Sequence, residues 1–373
     1  MPIAVWRVGF RGKIKIYEIR VEGEFGWLVD HLERVRQVGA KSNHSYLVFV
    51  RSSIRHSGLT YLYQSSLPCR VFWSTGPTVL MAQVVLLLPR LLQSKVVVSP
   101  DRIVSEQLDS EFQYPSTSMR ITEKLFNLRT SLLSQCGIAS AEYVALAVFT
   151  STEDEKRADG YSAKYQPRET VGQDLTCSID WLRNDGLSVV LLGFGDSGRA
   201  RIPREIPRLT DFSRVGGLPE IALASGCKYF WSDFVGAQWL REPFKRPVLV
   251  TNQDEAWFQK SYKVTSAFLK NFLCTPLRFQ RKEGSVLTIR ETLENGSCFE
   301  AVARGELVLI RNSCEELRDA NEEMLRRLDG SWKDNEDHVI MRNRLIEIYA
   351  TFPQFHVPPI ASSFLAGHPY LLD

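Results

Sequence analysis

Lys13 to Ile19 sets isoleucines and a tyrosine between charged residues, the period-two pattern of a strand with one covered face. A turn containing Gly23 and Gly26 follows, and then Leu28, Leu32, Val35 and Val38 recur at helical spacing. Ser45 to Val50 reads as the next strand, Val79 to Leu92 as a crossover helix and Lys95 to Val98 as a further strand. Ser99 to Thr117 is polar, carries Pro100 and Pro115, and predicts a long surface connection. Met119 to Gln135 is amphipathic, with Leu125, Leu128, Leu132 and Leu133 on one side.

The second half repeats the alternation. Tyr143 to Phe149 is a compact apolar strand, the charged stretch Ser151 to Lys164 a connection, and Leu175 to Asn184 a helix with Gly186 as its stop. Leu187 to Leu192, Lys228 to Trp231 and Val248 to Thr251 predict three more strands. Ser313 ahead of Glu315 and Glu316 predicts a capped helix running to Leu328, and a second spans Glu336 to Ala350. Strands alternating with helices give an α/β class with open parallel sheets. At 373 residues the chain has room for about two domains. The pattern divides it into 1–138, 139–345 and a carboxyl-terminal tail, 346–373.

A net charge of +3 argues against a nucleic-acid partner held by bulk charge, though it leaves room for a local phosphate site. Seven cysteines are scattered, at Cys69, Cys136, Cys177, Cys227, Cys274, Cys298 and Cys314, with no Cys-x-x-Cys pair. That usage reads as reduced thiols in the cytoplasm, and neither they nor the six dispersed histidines suggest a metal site. The start, Met1 to Arg7, lacks the pattern of a signal peptide. Pro77 to Leu92 is the most apolar stretch, but Gln83, Pro89 and Arg90 interrupt it. It reads as a buried helix, with a peripheral membrane contact as the alternative.

Candidate chemistry concentrates at strand ends. Gly193-Phe194-Gly195-Asp196-Ser197-Gly198 matches the dinucleotide fingerprint in letters, yet Pro203 and Pro207 follow where that fingerprint needs a helix to begin. Hydride transfer is therefore disfavoured; a tight turn or the edge of a nucleotide loop remain. Ser232, Asp233 and Gly236 lie between a strand and the helix-compatible Ala237 to Glu242, where amides could receive a diphosphate or a routine turn could stand. Arg168, with its planar fork, and Lys164 suit phosphate oxygens, or else are solvated loop residues. In the first glycine turn Glu24 is the preferred general base, ahead of Glu22 and Asp30.

These pieces together resemble a two-domain glycosyltransferase of the GT-B type, in a bacterial family associated with surface-polysaccharide or natural-product clusters and distantly similar to heptosyltransferases. The resemblance is carried from Tyr143 onward by Arg168, Ile179 to Gly186, Cys227 to Trp231 with Gly236, Phe244 to Val248 and Asn252. Leu287 to Glu291, Asn312 to Leu317, Met324 to Leu328 and Ile360 to Leu365 continue it; Lys15 to Ile19 and Gly26 match more faintly. It implies two Rossmann-like domains facing a cleft, with the tail packing back across it. It further implies a nucleotide-sugar donor on the second domain, a small-molecule or glycan acceptor on the first, and no cofactor or metal. Three departures stand out. Thr150-Ser151 replaces the family's Arg-Asp pair, Glu169 its asparagine, and Gly26-Trp27 its Gly-His, a change by which Trp27 would stack on the acceptor. They keep open a non-catalytic protein that binds a nucleotide sugar or a partner.

Overall fold

The computed structural model describes residues 13–19, 44–51, 61, 69–74, 121–139, 142–148, 172–192, 205–209, 217–233, 240–241, 243–253, 271–296 and 298–373. Two parallel sheets stand within them. The first joins β1 (Lys13–Ile19), β2 (His44–Arg51) and β3 (Cys69–Ser74), in that order. The first two coincide with predicted strands; β3 does not stand out in the pattern. The predicted helix Val79 to Leu92, the strand Lys95 to Val98 and the connection Ser99 to Thr117 lie outside the described residues.

The second sheet holds β4 (Tyr143–Val148), β5 (Ser188–Leu191), β6 (Tyr229–Asp233), β7 (Val248–Gln253) and β8 (Phe272–Pro276), all parallel, in the order β5-β4-β6-β7-β8. Helices cover both faces, which is why β4 and β7 are buried from end to end rather than alternating. On one face lie α1 (Glu123–Gln135) and α3 (Leu218–Gly226), packed on each other. Buried Tyr143 reaches this layer, its hydroxyl donating to the Leu223 carbonyl at 2.6 Å. On the other face α2 (Gly172–Asn184) packs along α6 (Cys314–Leu328), and the Tyr229 hydroxyl meets Asn321 Oδ1 at 2.5 Å. The core of this unit thus takes in Leu125, Leu132 and Leu133 of α1, ahead of residue 139.

Local signals set the helix ends. Thr122 caps α1, accepting from the Leu125 amide at 3.3 Å. Gly186 stops α2 in the left-handed region at φ 82°, and Leu187 N–H returns to the Leu182 carbonyl at 2.9 Å. Past β8 the antiparallel pair β9 (Arg278–Arg281) and β10 (Leu307–Ile310) encloses α4 (Ile289–Asn295) and α5 (Cys298–Ala303). A small second core forms there, with Phe279 edge-on to Phe299 at 5.7 Å between centroids.

After α6 come α7 (Glu336–Ala350), which spans the predicted start of the tail at 346, α8 (Ser362–Gly367) and a short 3-10 turn, Pro369–Leu372. The stretch between α7 and α8 belongs to the tail. It lies along the outer edge of β8. Cys274 N–H donates to Pro359 O at 3.1 Å, and Ala361 N–H to Cys274 O at 2.8 Å. The free ladder of an edge strand is thereby covered.

One expectation is overturned here. Cys177 of α2 and Cys314 of α6 form a disulfide, with their Cα atoms 5.5 Å apart across a separation of 137 residues. Helix packing, not sequence spacing, brings them together. Cys136, Cys227, Cys274 and Cys298 are thiols, as the composition predicts.

Candidate functional site at the carboxyl edge of the second sheet

In the second sheet the first strand in sequence, β4, lies between the second, β5, and the third, β6. The winding reverses between β4 and β6. Connections to either side of such a reversal leave in opposite directions, so a crevice opens outside the carboxyl ends of those strands. In the ladder Ala147 lies opposite Ser232, Val148 opposite Asp233, and Leu146 opposite Leu191. Three connections therefore start from one edge: residues 149–171 after β4, 193–204 after β5 and 234–239 after β6.

Those connections carry most of the predicted donor residues. Lys164 and Arg168 belong to the first, Gly193, Gly195 and Asp196 to the second and Gly236 to the third; all lie outside the described residues, as do Glu24 and Trp27 after β1. Ser232 and Asp233 are described, and differently from the loop the sequence suggests. Strand β6 runs through Asp233, and Ser232 is fully buried between its ladder partners Ala147 and Val250. Strands on both sides carry the ladder past two small polar residues that would otherwise favour a turn. The predicted amide loop, Ser232 to Gly236, therefore begins inside β6.

The other half of the edge, at β7 and β8, is closed by polar contacts that the sequence does not announce. The β7–β8 register shifts between Val250 and Gln253, and Asn252 sits there at φ 51°, a left-handed conformation that asparagine tolerates better than most residues. Asn252 and Asn312 exchange side chains for amides: Asn252 N–H donates to Asn312 Oδ1 and Asn312 N–H to Asn252 Oδ1, each at 2.7 Å. Asn312 Oδ1 also accepts from the Thr275 hydroxyl at 2.7 Å, and its Nδ2 donates to Pro276 O at 2.9 Å. Trp231 Nε1 donates to Thr251 Oγ1 at 3.1 Å. All of these residues are buried.

This lattice hands the chain to the amino end of α6, which supplies its own anion. Ser313 and Glu316 form a capping box, in which Glu316 Oε2 accepts from Ser313 N–H at 2.8 Å. The same oxygen accepts from Arg278 Nη2 at 2.8 Å, while His368 Nε2 stands 2.5 Å from Glu316 Oε1. Arg278 also donates to the Arg311 carbonyl at 3.1 Å, and the Tyr370 hydroxyl lies 3.0 Å from His368 Nδ1. Burial opposes ionisation of Glu316. His368, the Ser313 amide and Arg278 outweigh it and hold the carboxyl below the usual glutamate range. An anionic carboxylate already fills this helix end, so it offers no seat for a phosphate.

Among the described residues no group of three histidine, cysteine or carboxylate side chains could hold a metal ion, and no helix is long and apolar enough to cross a membrane.

No protein-family model matches the chain, and no curated protein matches it in sequence. Solved structures do match. The family 9 glycosyl transferase from Veillonella parvula DSM 2008 is 11% identical, with a TM-score of 0.51 over 84% of this chain and 98% of that one. The ADP-heptose LPS heptosyltransferase II of E. coli is 11% identical over 85% of this chain and 99% of that one, with a TM-score of 0.49. The E. coli heptosyltransferase WaaC with ADP is 13% identical over 64% of this chain and 86% of that one, with a TM-score of 0.38. At such identities the likeness speaks for the fold, and the first match carries it. This chain shares its α/β fold with that family 9 glycosyl transferase.

Proposed function

We propose that the protein is a glycosyltransferase that moves a sugar from a nucleotide-activated donor to a hydroxyl or amine of a small molecule or glycan. The observation that carries this reading is the reversal between β4 and β6, where three connections bearing cations, glycines and small residues start from one edge. Arg168 and Lys164 supply positive charge to the diphosphate, the stretch from Asp233 to Gly236 supplies amides beyond buried Ser232, and Gly193 to Asp196 border the base or ribose. The division into an acceptor-side unit around β1–β3 and a donor-side unit around β4–β8 belongs to the same proposal, as does a cytoplasmic location.

In the reaction the acceptor oxygen or nitrogen attacks the anomeric carbon. Glu24 takes the proton, the bond from that carbon to the diphosphate breaks, and the diphosphate leaves with the electron pair. Arginine, lysine and amides stabilise the charge it gains without a metal ion. Trp27 offers the acceptor a flat stacking surface.

The test is direct. At least one nucleoside diphosphate from a panel should raise the thermal midpoint of the purified chain. Mass spectrometry should then show sugar transfer from the matching nucleotide sugar, lost in Glu24→Gln with donor binding retained. Midpoints unmoved by every nucleotide would overturn the reading. The sequence departures at Thr150-Ser151 and Gly26-Trp27 favour a second reading, a nucleotide-sugar or partner-binding protein without transfer. Donor binding with neither transfer nor donor hydrolysis would select it.

A further inference from the structure

The Cys177–Cys314 disulfide differs in access and in surroundings from three of the four thiols, Cys136 alone among them being half-buried. Cys177 is exposed and Cys314 half-buried, whereas Cys227, Cys274 and Cys298 are buried thiols. Burial pushes the Cys227 thiol up to about 12, which leaves it without thiolate near neutral pH. The two bonded sulfurs are also unlike each other. Cys314 is the first residue of α6, whose amino end the Glu316 carboxylate already occupies, and its Sγ accepts the Cys177 N–H at 3.2 Å, a contact that favours charge on this sulfur. Glu315 beside it opposes a thiolate, but its carboxylate is turned to the Ser313 hydroxyl at 3.0 Å. Asp180 on α2 is exposed.

We propose that Cys177–Cys314 is a thiol-exchange site, attacked at Cys177 by small-molecule thiols of the glutathione class, and that its two states set how firmly α2 is held against α6. The attacking thiolate bonds to Cys177 Sγ, the Cys177–Cys314 bond breaks, and its electron pair passes to Cys314 Sγ, which then takes a proton. A second thiolate attacks the added sulfur and releases Cys177. Two thiols are oxidised to one small disulfide, and the protein disulfide is reduced by two electrons to a dithiol; excess oxidised thiol reverses both steps. The asymmetry follows from access at the attacked sulfur and stabilisation of the departing one.

The chain, equilibrated folded in buffers of reduced and oxidised glutathione, is quenched, alkylated and mapped by peptide mass spectrometry. Expected is paired alkylation of Cys177 and Cys314 in reducing buffer well below the unfolding midpoint, restored pairing in oxidising buffer, and Cys227 unmodified in both. In samples acid-quenched early in the reduction, the mixed disulfide with glutathione should map to Cys177 at least about tenfold more than to Cys314. Amide hydrogen exchange should quicken in α2 on reduction while the ladder of β4 stays protected. A bond that yields only when the protein unfolds, a dithiol that oxidised glutathione does not pair, or a mixed disulfide spread equally over Cys177 and Cys314 would each overturn the proposal.

Discussion

The two halves of one sheet edge are finished in opposite ways. At β7 and β8 every strand end is tied down: Asn252 and Asn312 satisfy each other's backbone, Thr275 and Pro276 join them, and Glu316 fills the end of α6 between Arg278 and His368. At β4 and β6 the ladder stops at Val148 and Asp233, and the chain continues into a long connection with Lys164 and Arg168 after β4 and a short one with Gly236 after β6. Much of the closed half's hydrogen-bonding capacity is spent within the protein. An edge that binds a ligand must keep some capacity unspent, and the doubly wound order says where. Stability should therefore concentrate at β7–β8 and ligand affinity at β4–β6.

Substitutions can separate the two. The largest effect is expected from Asn312→Ala, which strands the Asn252 amide, the Thr275 hydroxyl and the Pro276 carbonyl without this partner. At roughly 1–3 kcal/mol for each buried polar group left unpaired, denaturant unfolding should show a loss of about 4 kcal/mol. Nucleotide affinity, measured below the lowered midpoint, should stay within about twofold. A large loss of affinity in a folded variant would merge the two halves.

Arg168→Ala should do the reverse. Losing a charge-assisted phosphate contact should raise the donor dissociation constant by about 30- to 100-fold, roughly 2–3 kcal/mol, with the unfolding midpoint unchanged. Isothermal titration with the nucleoside diphosphate checks it, and unaltered affinity would remove Arg168 from the open half.

Glu316→Gln should cost about 1–2 kcal/mol at neutral pH, through weaker bonds to Arg278 and His368. Its carboxyl is held below the ordinary range in the folded chain, so this stability is complete above the unfolded value, about 4.3, and is lost as pH falls below it. Unfolding midpoints of wild type and variant should differ at pH 7 and converge in acid. A gap that does not narrow would show that charge at Glu316 is not what closes the helix end.

Much of the frame can be read from the sequence where one local rule decides the outcome. The unbroken apolar run of β4, the Ser313 cap with its acidic first turn, and the span of α7 are such cases. Other parts depend on partners far along the chain. Arg278 and His368 are 90 residues apart, and Cys177 and Cys314 are 137 apart. Helix α3, Leu-Pro-Glu-Ile-Ala-Leu-Ala-Ser-Gly, is covered almost all round, so it has no polar stripe to mark its period. Ser232 and Asp233 carry turn-forming side chains, and only the strands on both sides of β6 keep them in the ladder. Of the candidate site, the sequence shows which strands are followed by glycines, small residues or cations. It does not show the order in which those strands lie side by side, and that order singles out β4 and β6.

The pairing of residues 359–361 with β8 has a consequence for how the chain is made. Strand β8 is complete once residue 276 has been synthesised, but the segment that covers its outer ladder is more than eighty residues further on. Throughout that interval a nascent sheet presents an open row of amides and carbonyls, able to recruit a strand from a neighbouring chain. Synthesis thus leaves a window of exposure that the finished molecule no longer displays, and the tail is what shuts it.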